Sequence, residues 1–268
     1  MYYLYRTGRG FAAAHSSSPG SGYSTPAASM PNVPSWVGPS PDGSLHLWAP
    51  HVFRVTDSHG ALYVMYFTGF KKSFGANCVG VAWSRSPDRN FVAGGTTICG
   101  SSNFYEAIDP SAYQAADGKR YLIYKTSHSN ASGWTIRAIQ MDTATGRVPV
   151  SSSRAKIAAS ARMEAPSVIR HGGKVWMFTS RGNWVDCTYY TDVWRADTFW
   201  GGTFTRVRTI MTTSSTGLCG PGGATVLQDG TTTRIAFHAW KGGTPASHVR
   251  QTWVGILKWN SSGNPYLY

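Results

Sequence analysis

The apolar positions fall in short runs, and the runs repeat. Four segments share one order: a small or acidic residue, a proline, an apolar strand, a turn, and an aromatic strand. The first is Ala49-Pro50-His51-Val52-Phe53-Arg54-Val55, answered by Leu62-Tyr63-Val64-Met65-Tyr66. The second is Asp109-Pro110-Ser111-Ala112-Tyr113, the turn Asp117-Gly118, then Tyr121-Leu122-Ile123-Tyr124. The third is Ala165-Pro166-Ser167-Val168-Ile169, Gly172-Gly173, then Val175-Trp176-Met177-Phe178. The fourth is Gly220-Pro221-Gly222-Gly223-Ala224-Thr225-Val226, Asp229-Gly230, then Arg234-Ile235-Ala236-Phe237-His238. The prolines stand at 50, 110, 166 and 221, so successive spacings are 60, 56 and 55. Asp-Gly between two apolar runs predicts a hairpin, because those residues tolerate the positive φ of the turn. Each repeat also holds a third strand, such as Val79–Ser84 or Thr135–Ile139.

A unit of roughly 40–60 residues made of antiparallel strands predicts a β-propeller blade. One blade cannot bury both faces alone; several around an axis bury them against one another and shield the sheet edges. A fifth copy is cut short. Tyr2-Tyr3-Leu4-Tyr5-Arg6-Thr7-Gly8 matches Tyr63-Val64-Met65-Tyr66-Phe67-Thr68-Gly69. The strand that should precede it would lie before residue 1. The expected fold is therefore all-β, a five-bladed β-propeller whose first blade lacks its innermost strand, with residues 1–268 forming a single domain. A two-sheet sandwich with accidental similarity is the competing architecture, and the even proline spacing argues against it.

Composition narrows the class. Hydrophobic residues make up 41% of the 268 residues, too many for a disordered chain. Charged residues are only 14%, with abundant Gly and aromatics, which disfavours a coiled coil or helical bundle. No apolar run approaches the roughly 18–20 residues of a membrane span. The net charge of +13 raises the question of nucleic acid, but the basic residues are scattered and the longest cluster is Lys71-Lys72. A basic surface suited to acidic polysaccharide is the preferred reading, with no nucleic-acid or membrane partner, and the chain is expected to be a monomer.

Four cysteines suggest two disulfides, Cys78 with Cys99 and Cys187 with Cys219, as in an exported protein; buried free thiols are the alternative. No C-x-x-C occurs, so zinc is not expected. Met1–Arg6 has no basic region ahead of an apolar stretch, so no signal peptide is visible and Met1 reads as an artificial or misassigned start. Asn130-Ala131-Ser132 and Asn260-Ser261-Ser262 match glycosylation sequons.

The candidate chemistry comes from the 12 acids. Asp42, Asp57, Asp117, Asp142 and Asp229 stand in turn contexts, where Asp supports the geometry. Asp88, Asp192 and Asp197 read as residues of polar connections or strand surfaces, and Asp186 as a loop residue beside Cys187. Glu106, Asp109 and Glu164 remain. Asp109 immediately precedes Pro110, and Glu164 stands one residue ahead of Ala165-Pro166. Equivalent positions on different blades aim at one channel mouth, and carboxylates converging there suit glycoside hydrolysis: a protonated one donates to the leaving oxygen, an ionised one activates water or attacks carbon. Glu164 is the better acid, since a neighbouring carboxylate and partial burial would raise its pKa. The plainer reading has Asp109 capping a turn and Glu164 pairing with Arg162.

Leu47-Trp48-Ala49-Pro50, Ala107-Ile108-Asp109-Pro110-Ser111 and Met163-Glu164-Ala165-Pro166-Ser167 resemble the blade-start motifs of glycoside hydrolase family 43. So does the stretch from Phe237-His238-Ala239-Trp240 through Arg250 to Trp259-Asn260. The resemblance covers nearly the whole chain. It implies a five-bladed propeller acting on arabinan, arabinoxylan or related plant polysaccharide by an inverting mechanism, with Glu164 as general acid and Asp109 orienting it and tuning its pKa. The family's general base is an Asp on the first blade's inner strand, and no residue here occupies that position. Either the start is late or the protein lacks the base, and the chain as written is expected to be a poor hydrolase. Many relatives carry a His where this chain reads Gly222-Gly223-Ala224, one that helps hold a metal or ordered water, so no cofactor is expected and calcium is left open. His238 resembles a recurrent family His, with a satisfied core histidine as the alternative. Arg250 resembles an inward-pointing Arg able to bond sugar hydroxyls, with surface ion pairing as the alternative. Trp48, Phe104, Tyr105 and Trp184 lie near blade-mouth loops, and Trp48 and Trp184 are the expected sugar-stacking subsites. The rival functions are a β-xylosidase or exo-galactanase of the same fold, and a non-catalytic carbohydrate-binding propeller.

Overall fold

The computed structural model describes residues 1–100, 106–127, 134–160 and 163–268. It is all-β, a five-bladed β-propeller built from five small antiparallel sheets taken in chain order. The first sheet has three strands, β1 (Tyr2–Tyr5), β2 (Ala12–Ser16) and β3 (Ala27–Ala28), with β1 at an edge. The second has four: β4 (Leu47–Asp57), β5 (Gly60–Lys71), β6 (Ala76–Ser84) and β7 (Val92–Cys99). The third contains β8 (Glu106–Gln114), β9 (Arg120–Ser127), β10 (Trp134–Met141) and β11 (Pro149–Ser160). The fourth contains β12 (Glu164–His171), β13 (Lys174–Arg181), β14 (Tyr190–Ala196) and β15 (Thr205–Met211). After a single α-helical turn, α1 (Thr213–Thr216), the fifth is β16 (Cys219–Asp229), β17 (Thr232–Trp240), β18 (Arg250–Trp259) and β19 (Pro265–Leu267). The three-strand first sheet and four four-strand sheets are the pattern the repeats predict.

The chain divides into two compact units, residues 1–132 with 137–155, and residues 133–136 with 156–268. In the first unit, β5 has both faces buried, which is why it reads as a continuous apolar run rather than an alternation. Its Val64 and Tyr66 join Val79, Val81, Leu122 and Tyr124 in one core. Its Met65 and Phe67 join Phe11, Met30, Leu47 and Phe91 in another. The buried Tyr66 hydroxyl donates to the Gly146 carbonyl, so the phenol brings no unpaired polar atom into the core. In the second unit, Trp176, Phe178, Val193, Val226, Ile235 and Phe237 belong to a single core.

The repeated proline marks a bulge. The residue before it has positive φ in every copy: Ala49 at 49°, Asp109 at 51°, Ala165 at 49° and Gly220 at 62°. The ladder register shifts at each, between Trp48 and His51, Ile108 and Ser111, Glu164 and Ser167, and Cys219 and Gly222. Proline has no N–H for the ladder, so the X-Pro pair is extruded and the strand resumes beyond it. Hydroxyls of the preceding blade accept the N–H groups this frees. Ala49 N–H donates to Thr7 Oγ1 at 3.1 Å, and Asp109 N–H to Thr68 Oγ1 at 3.2 Å. Gly223 N–H donates to Ser180 Oγ at 2.7 Å.

Both expected disulfides are present, Cys78–Cys99 and Cys187–Cys219, and among the described residues no cysteine is free. Cys78 and Cys99 face each other across β6 and β7. No helix among the described residues is long and apolar enough to cross a membrane.

Asp192 corrects the sequence reading. It is not a surface residue of a strand: it is fully buried in β14, gripped by Arg206 through Nε at 2.8 Å and Nη2 at 2.9 Å, by Arg181 at 3.3 Å and by the Thr209 hydroxyl at 2.6 Å. Burial pushes this carboxyl up, but the hydrogen bonds from Arg206 and Thr209 outweigh it and leave the group below its ordinary range.

Candidate active site

Glu164 is the first residue of β12, at the start of the bulge its blade makes around Ala165-Pro166. Tyr189, just ahead of β14, donates its phenolic hydrogen to Glu164 Oε1 at 2.8 Å. That phenol is only 3% exposed, so the ring has little freedom to swing away. One edge packs on Gly222, where an added Cβ would stand 2.3 Å from the Tyr189 Cε1. Only glycine leaves room for the ring there. The ring also meets the His238 imidazole, nearly parallel at 6.1 Å between centroids, and the Arg250 guanidinium, 5.5 Å over the ring.

Arg250 opens β18 and acts as a clamp. Its Nε donates to His238 Nδ1, its Nη1 to the Trp184 carbonyl at 2.8 Å, and its Nη2 to the carbonyls of Gly220 and, at 3.1 Å, His238. Of five N–H donors, one on Nη1 remains for anything else. Burial brings its pKa down to about 10, so it is charged at neutral pH. The loop it clamps is fixed twice more. The Cys187–Cys219 disulfide ties it to β16, and Thr213 of α1 donates through Oγ1 to the Cys187 carbonyl at 2.6 Å while accepting from Gly220 N–H.

Burial first, and the Arg250 charge second, push the His238 pKa down to about 3. The imidazole is therefore neutral, and because Arg250 can only donate, His238 Nδ1 must be the acceptor. Its proton then sits on Nε2, which has no lone pair left for a cation. Gly223 faces that nitrogen so closely that an added Cβ would lie 2.2 Å from it, and its φ is 64°. With a guanidinium on one ring nitrogen and a proton on the other, these residues do not fit a bound calcium ion. Among the described residues no group of three or more His, Cys, Asp and Glu is placed to share a metal.

In the first unit the predicted residues gather on Thr68. Trp48 pairs with Thr68 across β4 and β5, and Asp109 N–H donates to its hydroxyl. Asp109 itself occupies the positive-φ position of the β8 bulge, one register position beyond that of Glu164 in β12. The Trp48 indole stacks on His46 at 3.7 Å, and His46 Nδ1 contacts Asn77 Oδ1 at 2.8 Å. Asn77 Nδ2 donates to Glu106 Oε2 at 3.3 Å. Glu106 Oε1 in turn receives Ser127 Oγ at 3.0 Å and faces Lys125 Nζ at 3.3 Å. The Lys125 side chain is 4% exposed, so this pair is largely withdrawn from water.

The model of glycosyl hydrolases family 43 matches residues 2–265. The chain belongs to glycoside hydrolase family 43. No curated protein matches this family-43 sequence. Among solved structures it is similar to a thermostable family-43 glycoside hydrolase, with a TM-score of 0.79 at 19% identity over 99% of this chain and 88% of that one. A Cellvibrio cellulosa α-L-arabinanase complexed with arabinohexaose superposes with a TM-score of 0.78 at 20% identity, over 99% and 91% of the two chains. An endo-1,4-β-xylanase of Bacteroides thetaiotaomicron gives 0.74 at 18% identity, over 100% and 90%.

Of the residues singled out in this family-43 chain, Glu164, Trp184, His238 and Arg250 lie in one unit and are connected through Tyr189 and the Arg250 clamp. Trp48 and Asp109 lie in the other and share Thr68. The Trp184 ring is 54% exposed. Phe104, Tyr105 and Arg162 lie outside the described residues. Tyr189 was missed, because it sits in a connection and belongs to no repeat position. Lys125 carried a readable signal: a lone cation inside the apolar run Tyr121–Thr126.

Proposed function

We propose that this family-43 hydrolase cleaves α-L-arabinofuranosyl linkages of plant cell-wall polysaccharide, arabinan or arabinoxylan, with inversion at the anomeric carbon. Glu164 donates a proton to the departing glycosidic oxygen, and Asp109 orients it and tunes its acidity. Tyr189 fixes one carboxyl oxygen of Glu164 and so helps to orient the acid. Trp48 and the exposed ring of Trp184 stack on sugar faces. Arg250 contributes mainly by holding the loop around Trp184, with one Nη1 hydrogen left for a sugar hydroxyl. Water must be activated by a third carboxylate. In this reading it is an acid of the first blade's inner strand. The two disulfides suit an extracellular, monomeric enzyme.

The observation that carries the reading is Glu164 at the bulge of a blade's first strand with its carboxylate gripped by a buried tyrosine. The choice of arabinan rests on the similarity to α-L-arabinanase. The similarity to an endo-1,4-β-xylanase, and to a β-1,3-galactosidase at a TM-score of 0.66, keeps xylan and galactan as the second reading. A carbohydrate-binding propeller without turnover is the third.

Hydrolysis of arabinan, arabinoxylan and galactan by the chain and by its Glu164→Gln variant tests this, with the product anomer read by NMR. The expected result is release of arabinose or arabino-oligosaccharides as the inverted anomer, lost in Glu164→Gln. Retained anomeric configuration, or activity indifferent to Glu164→Gln, overturns the mechanism. Binding without turnover, persisting when a strand bearing a carboxylate is supplied beside β1, establishes the binding module instead.

A further inference from the structure

The first unit holds a cavity of about 410 Å³ at the far end of its second blade, among Asp57, Trp83, Arg85, Asn90, Val92 and Arg147. Asp57 closes β4, whereas the bulge at Ala49-Pro50 lies near its start, so about 25 Å of extended strand separates cavity from bulge. The cavity is therefore distinct from the residues that gather on Thr68.

Its charges do not cancel. Arg85 and Asp57 form a two-pronged pair, Nη1 to Oδ1 at 2.9 Å and Nη2 to Oδ2 at 2.8 Å, and Arg85 Nη1 also reaches the Ala61 carbonyl at 3.1 Å. The Arg85 charge is therefore paired. Arg147 is different. Its guanidinium lies 4.6 Å over the Trp83 ring, and its Nε is buried with no hydrogen-bond partner. No carboxylate pairs with it among the described residues. Asp142, five residues earlier, is occupied by the N–H groups of Thr145 at 2.7 Å and Val148 at 2.8 Å and by the Thr145 hydroxyl. The cavity thus carries one uncompensated positive charge, on a planar fork whose orientation is set by stacking on an indole. The Nε is sealed from outside, so it falls to Nη1 and Nη2 to hold a carboxylate through two parallel hydrogen bonds. The cavity volume lies in the range of small-molecule sites, and Leu62, Val92 and the Trp83 edge offer apolar contact to a sugar ring.

We propose that this cavity is a binding site for a carboxylate-bearing sugar, a uronic acid residue of an acidic polysaccharide, with Arg147 holding the carboxylate. Such a site anchors the enzyme on an acidic wall polymer while the blade-mouth residues act elsewhere. The choice of a sugar rests on the proposed polysaccharide substrate; the choice of a carboxylate rests on Arg147 alone.

The test is calorimetric titration with a galacturonate trimer, using uncharged arabinotriose as the parallel probe. The trimer is expected to bind the unaltered chain and at least tenfold more weakly to Arg147→Met, which keeps the apolar stack and removes the charge. Arg147→Lys should fall between them, since it keeps the charge and loses the fork. Val92→Glu, at a site 63% exposed and so harmless to the fold, should weaken the trimer similarly by placing a negative charge at the rim. Glu164→Gln should leave trimer binding unchanged while abolishing hydrolysis, which separates this proposal from the reading of the catalytic residues. Trimer affinity in Arg147→Met and Val92→Glu equal to that of the unaltered chain, or no trimer binding at millimolar concentration, overturns it.

Discussion

The Tyr189 hydroxyl donates to Glu164 Oε1 across 2.8 Å, and the ring that carries it is walled in by Gly222, His238 and Arg250. If Glu164 is the proton donor proposed above, it gains from having one oxygen pinned. Hydrogen bonds to charged groups contribute about 1.5–3 kcal/mol, so Tyr189→Phe should lower kcat by about 10- to 100-fold. KM should change little, because the hydrogen bond is made to Glu164 of the protein rather than to substrate. Steady-state kinetics on an arabino-oligosaccharide decide it. A KM effect with kcat intact would assign Tyr189 to substrate binding.

His238 makes stability depend on acid. Its folded form resists protonation until about pH 3, whereas the unfolded side chain takes up its proton near its ordinary 6.5. Between those values the unfolded state binds more protons, so stability falls as pH falls through that window. One group contributes at most about 1.4 kcal/mol per pH unit. His51, half-buried and pushed down to about 4 by desolvation, adds to the same trend. His238→Asn keeps an acceptor for Arg250 and removes the titration. Urea midpoints at pH 7, 5 and 4 should decline less steeply in that variant, and equal slopes would show that His238 does not titrate as described.

Asp192 is the most exacting buried charge among the described residues. Neutralising it while Arg206 and Arg181 remain leaves guanidinium groups facing an amide that cannot compensate them. Because Arg206 and Arg181 stay partly solvated, Asp192→Asn should cost about 1–3 kcal/mol, read by chemical denaturation at neutral pH. A loss under about 0.5 kcal/mol would show that the ionised Asp192 is not what holds the two arginines.

The bulge residues predict opposite signs for one kind of substitution. Ala165 holds φ at 49°, a conformation costing a non-glycine residue about 1–2 kcal/mol. Ala165→Gly relieves that cost against a smaller entropic loss and should stabilise by up to about 1 kcal/mol. Gly220→Ala imposes the strain and also sets a Cβ 2.5 Å from the Asp186 carbonyl oxygen. It should destabilise by more than 2 kcal/mol, displacing the loop that Arg250 clamps. Thermal unfolding of the two variants checks the pair together.

The periodic features were legible because they are local. Four prolines at near-equal spacing named the blades, Asp-Gly and Gly-Gly pairs named the hairpins, and the cysteines paired as their positions suggested. That the prolines mark bulges with a positive-φ residue before them was not legible, because Ala49, Asp109 and Ala165 carry no glycine signature. Asp192 looked like a strand-surface residue because its partners, Arg181 and Arg206, stand on the two neighbouring strands, 11 and 14 residues away in sequence. Tyr189 could not be found by repeat position at all; what assigns it is the gap left by Gly222.

The strand β5 places consecutive side chains in separate cores, Met65 and Phe67 with one set of neighbours, Val64 and Tyr66 with another. It is a party wall with a different tenant on each side. Adjacent letters of the gene there answer to unrelated packing constraints. Truncations at Met65 and Val64 should combine additively despite being chain neighbours, so each interface can drift in sequence without consulting the one behind it.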